Sequence, residues 1–146
     1  MDRLSWNLMN NVHVYSDYFN AETGESIVTI STPEGLFTGH AQTSSNDKDI
    51  QSRFLGCDYA KGRAMIKYLK HLKSNKRAAI KELVRINNRL PRRNRTILEI
   101  NNRILDLEEE IFNINNTIDK IKEDISQTDE DWTAAKRKFV KNLVKD

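Results

Sequence analysis

Five arginines crowd one stretch of the chain: Arg85 and Arg89, four residues apart, then Arg92, Arg93 and Arg95 just beyond Pro91. A guanidinium presents a planar fork of N–H donors that grips phosphate oxygens two at a time and stacks on a nucleobase, which an ammonium does not. These five are the first candidates for a phosphorylated ligand, and Lys61 and Arg63 upstream are the second. Phe37, Phe54 and Tyr59 supply rings on which a base could stack, although in a small sheet-and-helix layer such rings mostly serve packing. Catalytic groups are another matter. One cysteine, Cys57, three scattered histidines (His13, His40 and His71) and five glycines allow neither a four-ligand zinc set nor a Gly-rich phosphate loop. No Ser/His/Asp, HExxH or GxSxG constellation can be assembled either. The expectation is a binding protein without cofactor or metal, and not an enzyme.

Charge is strongly segregated within the 146 residues. Residues 1–60 hold three basic and eight acidic side chains, and residues 61–95 hold thirteen basic ones against Glu82 alone. Residues 96–131 return three against eleven, and residues 132–146 close with five against one, for a net +3. A cationic block can recruit an outside polyanion or pair with the anionic block of its own chain. Self-pairing comes first, but the positive excess of the second block over the third leaves charge for a phosphate-bearing partner. With 31% charged residues and no long apolar run, no membrane span and no secretory leader is expected, and the single cysteine suits a reduced, cytoplasmic setting.

Three strands precede the basic block. Val12, Val14 and the run Tyr15 to Phe19 form the first, Ile27 to Ser31 the second and Leu36 to Thr43 the third, joined by a turn around Gly24 and by Thr32-Pro33-Glu34-Gly35. Alternation places Phe37, Gly39 and Ala41 on one face of the third strand and Leu36, Thr38, His40 and Gln42 on the other. After a polar loop, Ile50 to Gly56 reads as a short irregular or single-turn segment, and Asp58 as the N-cap of a long helix. Apolar residues recur at Met65/Ile66, Leu69, Leu72, Ala79/Ile80, Leu83, Ile86 and Leu90, giving a helix about 48 Å long. Its basic residues, Lys61, Arg63, Lys67, Lys70, Lys73, Lys76, Arg77, Lys81, Arg85 and Arg89, read as lying on more than one face. At Leu90-Pro91 the chain kinks or doubles back. Doubling back is preferred because it lays the anionic third block beside the cationic second.

Beyond the junction, Ile97, Ile104, Ile111, Ile118 and Ile125 fall seven apart, and Ile100, Leu107, Ile114 and Ile121 follow at heptad position d. Isoleucine at both positions favours assemblies larger than a dimer, so a coiled-coil homo-oligomer is expected. A second row, Leu98, Leu105 and Phe112, flanks the first half of this seam, which must then be buried on two sides. Thr128 can cap a final basic amphipathic helix with Trp132, Ala135, Phe139 and Leu143 on one face. The predicted organisation is α+β: an antiparallel sheet over 1–57, a helical hairpin or kinked helix over 58–127 and a basic helix over 128–146, all in one domain.

The order strand-strand-strand-helix, with Phe37-Thr38-Gly39-His40-Ala41 and then Gly56-Cys57-Asp58-Tyr59-Ala60-Lys61-Gly62-Arg63-Ala64, resembles the double-stranded-RNA-binding-like fold. The leading helix of that fold is absent, and its Lys-Lys-x-x-Ala helix start is reduced to Lys61 and Arg63. The same block, with Asp47 to Asp49, also resembles the bacteriophage anti-defence sponges that counter Thoeris immunity. That second resemblance implies an oligomer in a bacterial host's cytoplasm that sequesters cyclic ADP-ribose isomers made by TIR enzymes, or cyclic oligonucleotides, without cleaving them. No ligand-contact motif of the family is carried over to this chain.

Three functions are therefore expected in order. The first is noncatalytic capture of a cyclic nucleotide signal. The second is a nucleic-acid-binding protein that clamps the backbone with its basic helix. The third is a protein-binding inhibitor acting through its coiled coil.

Overall fold

The computed structural model describes residues 9–42, 50–92 and 94–145, without the side chains of 50–54 and 128–145. Three strands, β1 (His13–Asn20), β2 (Glu25–Thr32) and β3 (Gly35–Gln42), form one antiparallel sheet in the order β1-β2-β3. Two helices follow, α1 (Ile50–Arg89) and α2 (Arg95–Lys145).

Each turn is made by the residues that mark it in the sequence. Asn20 bends its side chain back so that Oδ1 accepts from the main-chain N–H of Glu22 at 2.9 Å, and Gly24 closes the loop at φ 76°. In the second hairpin Thr32 Oγ1 donates to the Gly35 carbonyl at 2.7 Å and accepts from the Glu34 N–H at 3.1 Å. Gly35 there has a φ of 119° that a side chain would strain.

β2 alternates without a break: Ser26, Val28, Ile30 and Thr32 are buried, and the residues between them are half-buried. Its buried row and the Gly39–Ala41 end of β3 face α1. Ala60 and Ala64, one turn apart and both fully buried, are small enough to let the helix backbone settle directly on Gly39. Tyr68 and His71 continue that side of α1 over Phe37, edge-on and tilted with ring centroids 5.5 and 5.4 Å apart. β1 lies at the margin of the helix's cover and is exposed along most of its length.

α1 is both longer and earlier than the sequence suggests. It begins at Ile50, so Asp58 is an exposed residue inside the helix and not its N-cap, and the stretch to Gly56 is helical. The polar, glycine-containing start concealed this.

At Pro91 the chain doubles back. Asn94 caps the new helix, its Oδ1 accepting from the Thr96 N–H at 2.9 Å. α2 then runs antiparallel to α1, in a register marked by Asn87–Asn101 at 2.9 Å, Lys76–Glu110 at 2.9 Å and Lys73–Asn115 at 3.0 Å. Further along, Gly62 faces Ile121 and Ile125. Ile100, Leu107, Ile114 and Ile118 are buried in this seam, and Val28, Ile30, Leu69, Ile114 and Ile118 belong to one core that passes through α1. The heptad seam is thus filled by the chain's own α1. α2 also runs without interruption to Lys145, so Thr128 starts no separate helix; the side chains of the expected basic tail lie outside the described residues.

Candidate functional site

The basic residues of α1 do not spread evenly. Arg63, Lys67, Lys70, Arg77, Lys81, Arg85 and Arg89 recur at intervals of three, four or seven, which places them within a sector about 120° wide and about 39 Å long. All are exposed. Lys73 and Lys76 are turned toward α2 instead, where they meet Asn115 and Glu110. The basic residues thus lie on more than one face, as their spacing predicts: seven form one exposed ridge, Lys73 and Lys76 pair with α2, and Lys61 stands apart from both.

The sheet end of the ridge has a structural task as well. Arg63 Nη1 donates to the His40 carbonyl at 2.6 Å and Lys67 Nζ to the Thr38 carbonyl at 2.7 Å. In the middle, Lys70, Arg77 and Lys81 form no ion pair among the described residues. Toward the hairpin turn, Arg85 grips Glu82 through Nε at 3.0 Å and through Nη2. That hydrogen bond, with the charge of Arg85 and then of Arg89, holds the Glu82 carboxyl below the usual carboxylate range, and the Arg85 guanidinium is pushed up in turn. Ala78, Lys81, Glu82, Val84, Arg85 and Asn88 line a shallow open recess of about 420 Å³ along this part of the ridge.

Of the sequence candidates, Arg85, Arg89, Arg92 and Arg95 gather at the hairpin end and are exposed. Glu108 and Glu109 do not answer them: both are exposed farther along α2, and Glu110 lies beside Lys76 and, at 3.8 Å, Arg103. Arg93 and the Phe54 side chain lie outside the described residues. Lys61 is exposed well away from Arg63 around the helix. Phe37 packs on Tyr68 and His71, and Tyr59 is half-buried against the core, so these two rings serve the interior. The distal arginines and the Phe37 ring do not meet; Arg85 is fourteen residues beyond His71, about 21 Å along the helix.

Lys67, Lys70, Arg77 and Lys81 were not singled out in the sequence as site residues, although their spacing with Arg63 carried the signal. Among the described residues no group of three or more His, Cys, Asp or Glu side chains is placed to hold a metal ion, and no helix is long and apolar enough to cross a membrane. No protein-family model, curated protein or solved structure matches the chain.

Proposed function

We propose that this protein binds the phosphate backbone of a nucleic acid, without catalysis, along the α1 ridge. The observation that carries this reading is the one-sided line of Arg63, Lys67, Lys70, Arg77, Lys81 and Arg89, whose middle members have no acidic partner among the described residues. A straight cationic edge about 39 Å long suits an extended polyanion better than a compact nucleotide, which needs convergent groups in a recess. Contacts of this kind read charge and not sequence.

The test is binding of a labelled duplex and of a single strand across a salt series. Neutralising Lys70, Arg77 and Lys81 together with Gln should weaken binding by tenfold or more at low salt and flatten the salt slope by about two to three units, because each phosphate contact releases counterions. Lys73→Gln, on the α2 side, should change it little. A salt slope unaltered by the triple variant would end this reading.

The second reading is sequestration of a cyclic nucleotide signal. Its support is the group Arg85, Arg89, Arg92 and Arg95 at one hairpin end. Protein exposed to activated TIR enzyme products and then heat-denatured should release a nucleotide of fixed stoichiometry, seen by mass spectrometry, and Arg89→Ala with Arg92→Ala should abolish it. Self-association into a homo-oligomer is proposed with either reading.

A further inference from the structure

Leu98, Leu105 and Phe112 are 66%, 61% and 63% exposed. Seven residues apart, they form a straight row about 21 Å long on the side of α2 that faces away from α1. The row stops where Asp119 takes the next position. Three large apolar side chains aligned on one helix face and each more than half exposed, together on the order of a few hundred Å², exceed what scattered surface hydrophobics explain. α1 already occupies the Ile100/Leu107/Ile114 seam, and the sheet lies beyond α1, so nothing among the described residues of this chain covers the strip.

We propose that the strip is closed by a second copy of the chain, with the two α2 helices antiparallel about a two-fold axis at Leu105. The flanking residues decide both occupant and direction. On either side of Leu105 stand Asn101-Asn102, one turn before it, and Glu108-Glu109, one turn after it. In the antiparallel arrangement Leu105 meets its own copy and Leu98 meets Phe112. Asn101 then flanks Glu108 of the second copy and Asn102 flanks Glu109, so each carboxylate gains an amide N–H donor. Asp119 comes level with the turn that carries Arg92. A parallel pair would instead set Glu108 beside Glu109 of the other copy, a like-charge contact that disfavours it. The strip is thus self-complementary in the sense a two-fold interface requires.

The resulting order of layers is sheet, α1, α2, α2, α1, sheet. Both cationic ridges stay in solvent. This deepens the self-association proposed above and moves it from the isoleucine seam to the opposite face of α2. It is independent of what the ridge binds, so loss of the dimer and loss of nucleic-acid binding are read separately.

The full chain in sedimentation equilibrium at micromolar concentrations should have twice the monomer mass. Leu105→Glu, which sets two carboxylates on the axis at an exposed position, should weaken the dimer at least a hundredfold with an unchanged circular dichroism spectrum. A short thiol-to-thiol cross-linker supplies the direction. With Cys57→Ser as background, Leu105→Cys should link to itself, whereas Leu98→Cys should link only when mixed with Phe112→Cys. A monomer at all concentrations, a dimer indifferent to Leu105→Glu, or Leu98→Cys linking readily to itself would each overturn the proposal.

Discussion

Arg63 spans from α1 to the open edge of β3, where its Nη1 donates to the His40 carbonyl at 2.6 Å. Lys67, four residues on, does the same for Thr38. One helical turn rises about 6 Å over four residues and two strand residues advance about 6.6 Å, so the two cations match alternate edge carbonyls. β3 is an edge strand, and its outward carbonyls would otherwise be a template for another chain. Replacing both residues with Ala should cost about 1–2 kcal/mol in urea unfolding and raise the tendency to aggregate. Lys70→Ala, on the same ridge but without such a bond, should stay within about 0.5 kcal/mol of the parent.

Two glycines in the packing layers should respond differently to Ala. A Cβ on Gly39 would press on the Ala60 carbonyl and approach the Ala64 nitrogen to 2.6 Å. Both are helix backbone and cannot step aside singly, so Gly39→Ala should cost about 3 kcal/mol. On Gly62 the neighbour is Ile125 Cδ1 at 2.7 Å, the tip of a side chain that can change rotamer. Alanine also gains about 1 kcal/mol in a helix, so Gly62→Ala should lie within about 1 kcal/mol of the parent in chemical denaturation.

That contrast marks where the sequence is informative. Thr32-Pro33-Glu34-Gly35, Asn20 and Gly24 carry their turn chemistry in their own side chains and φ preferences, and the strands between them are legible to within a residue or two. The isoleucine heptads likewise announce a helical seam. What heptads leave open is which helix fills the seam, because α1 and a second copy offer the same apolar chemistry. Here α1 fills it, because the chain turns back at Pro91 and restarts at the Asn94 cap. The placement of the candidate site was half legible. Arginine spacing pointed to the hairpin end, but whether a lysine such as Lys73 or Lys70 faces α2 or water depends on the rotation of α1 against its neighbours. Phe37 was ambiguous for the same reason: only Tyr68 and His71 above it show that its ring is engaged.

Tyr68 is 4% exposed, and its phenol is pushed above the ordinary value, chiefly by burial and further by the Glu34 carboxylate. In the unfolded chain a tyrosine ionises near pH 10, whereas the folded chain holds this proton to higher pH. Its contribution to stability is therefore complete below about pH 10 and is lost as pH rises through the folded value. Tyr68→Phe keeps the edge-on contact with Phe37 and removes the ionisable group. Urea unfolding should show it within about 1 kcal/mol of the parent at pH 7, with a flatter decline above pH 10. An identical alkaline decline in the two proteins would mean that another group controls it.

Asn87 and Asn101 meet across the hairpin, Nδ2 of the first donating to Oδ1 of the second at 2.9 Å. Asn87 Oδ1 is buried there without a hydrogen-bond partner. Asn87 is half-buried and Asn101 exposed, so the pair lies at the rim of the helical seam, where it adds little stability but penalises every register in which the two amides fail to meet. Asn101→Leu alone removes the acceptor and leaves the whole Asn87 amide unpaired, so it should cost about 1–2 kcal/mol. Replacing both with Leu removes the unmet groups together and should recover most of that loss, to within about 0.5 kcal/mol of the parent, while admitting slipped hairpins or larger assemblies. Chemical denaturation and sedimentation of the single and double variants separate the two effects. If the double variant were the less stable of the two, the pair would be contributing binding energy to the seam and not alignment.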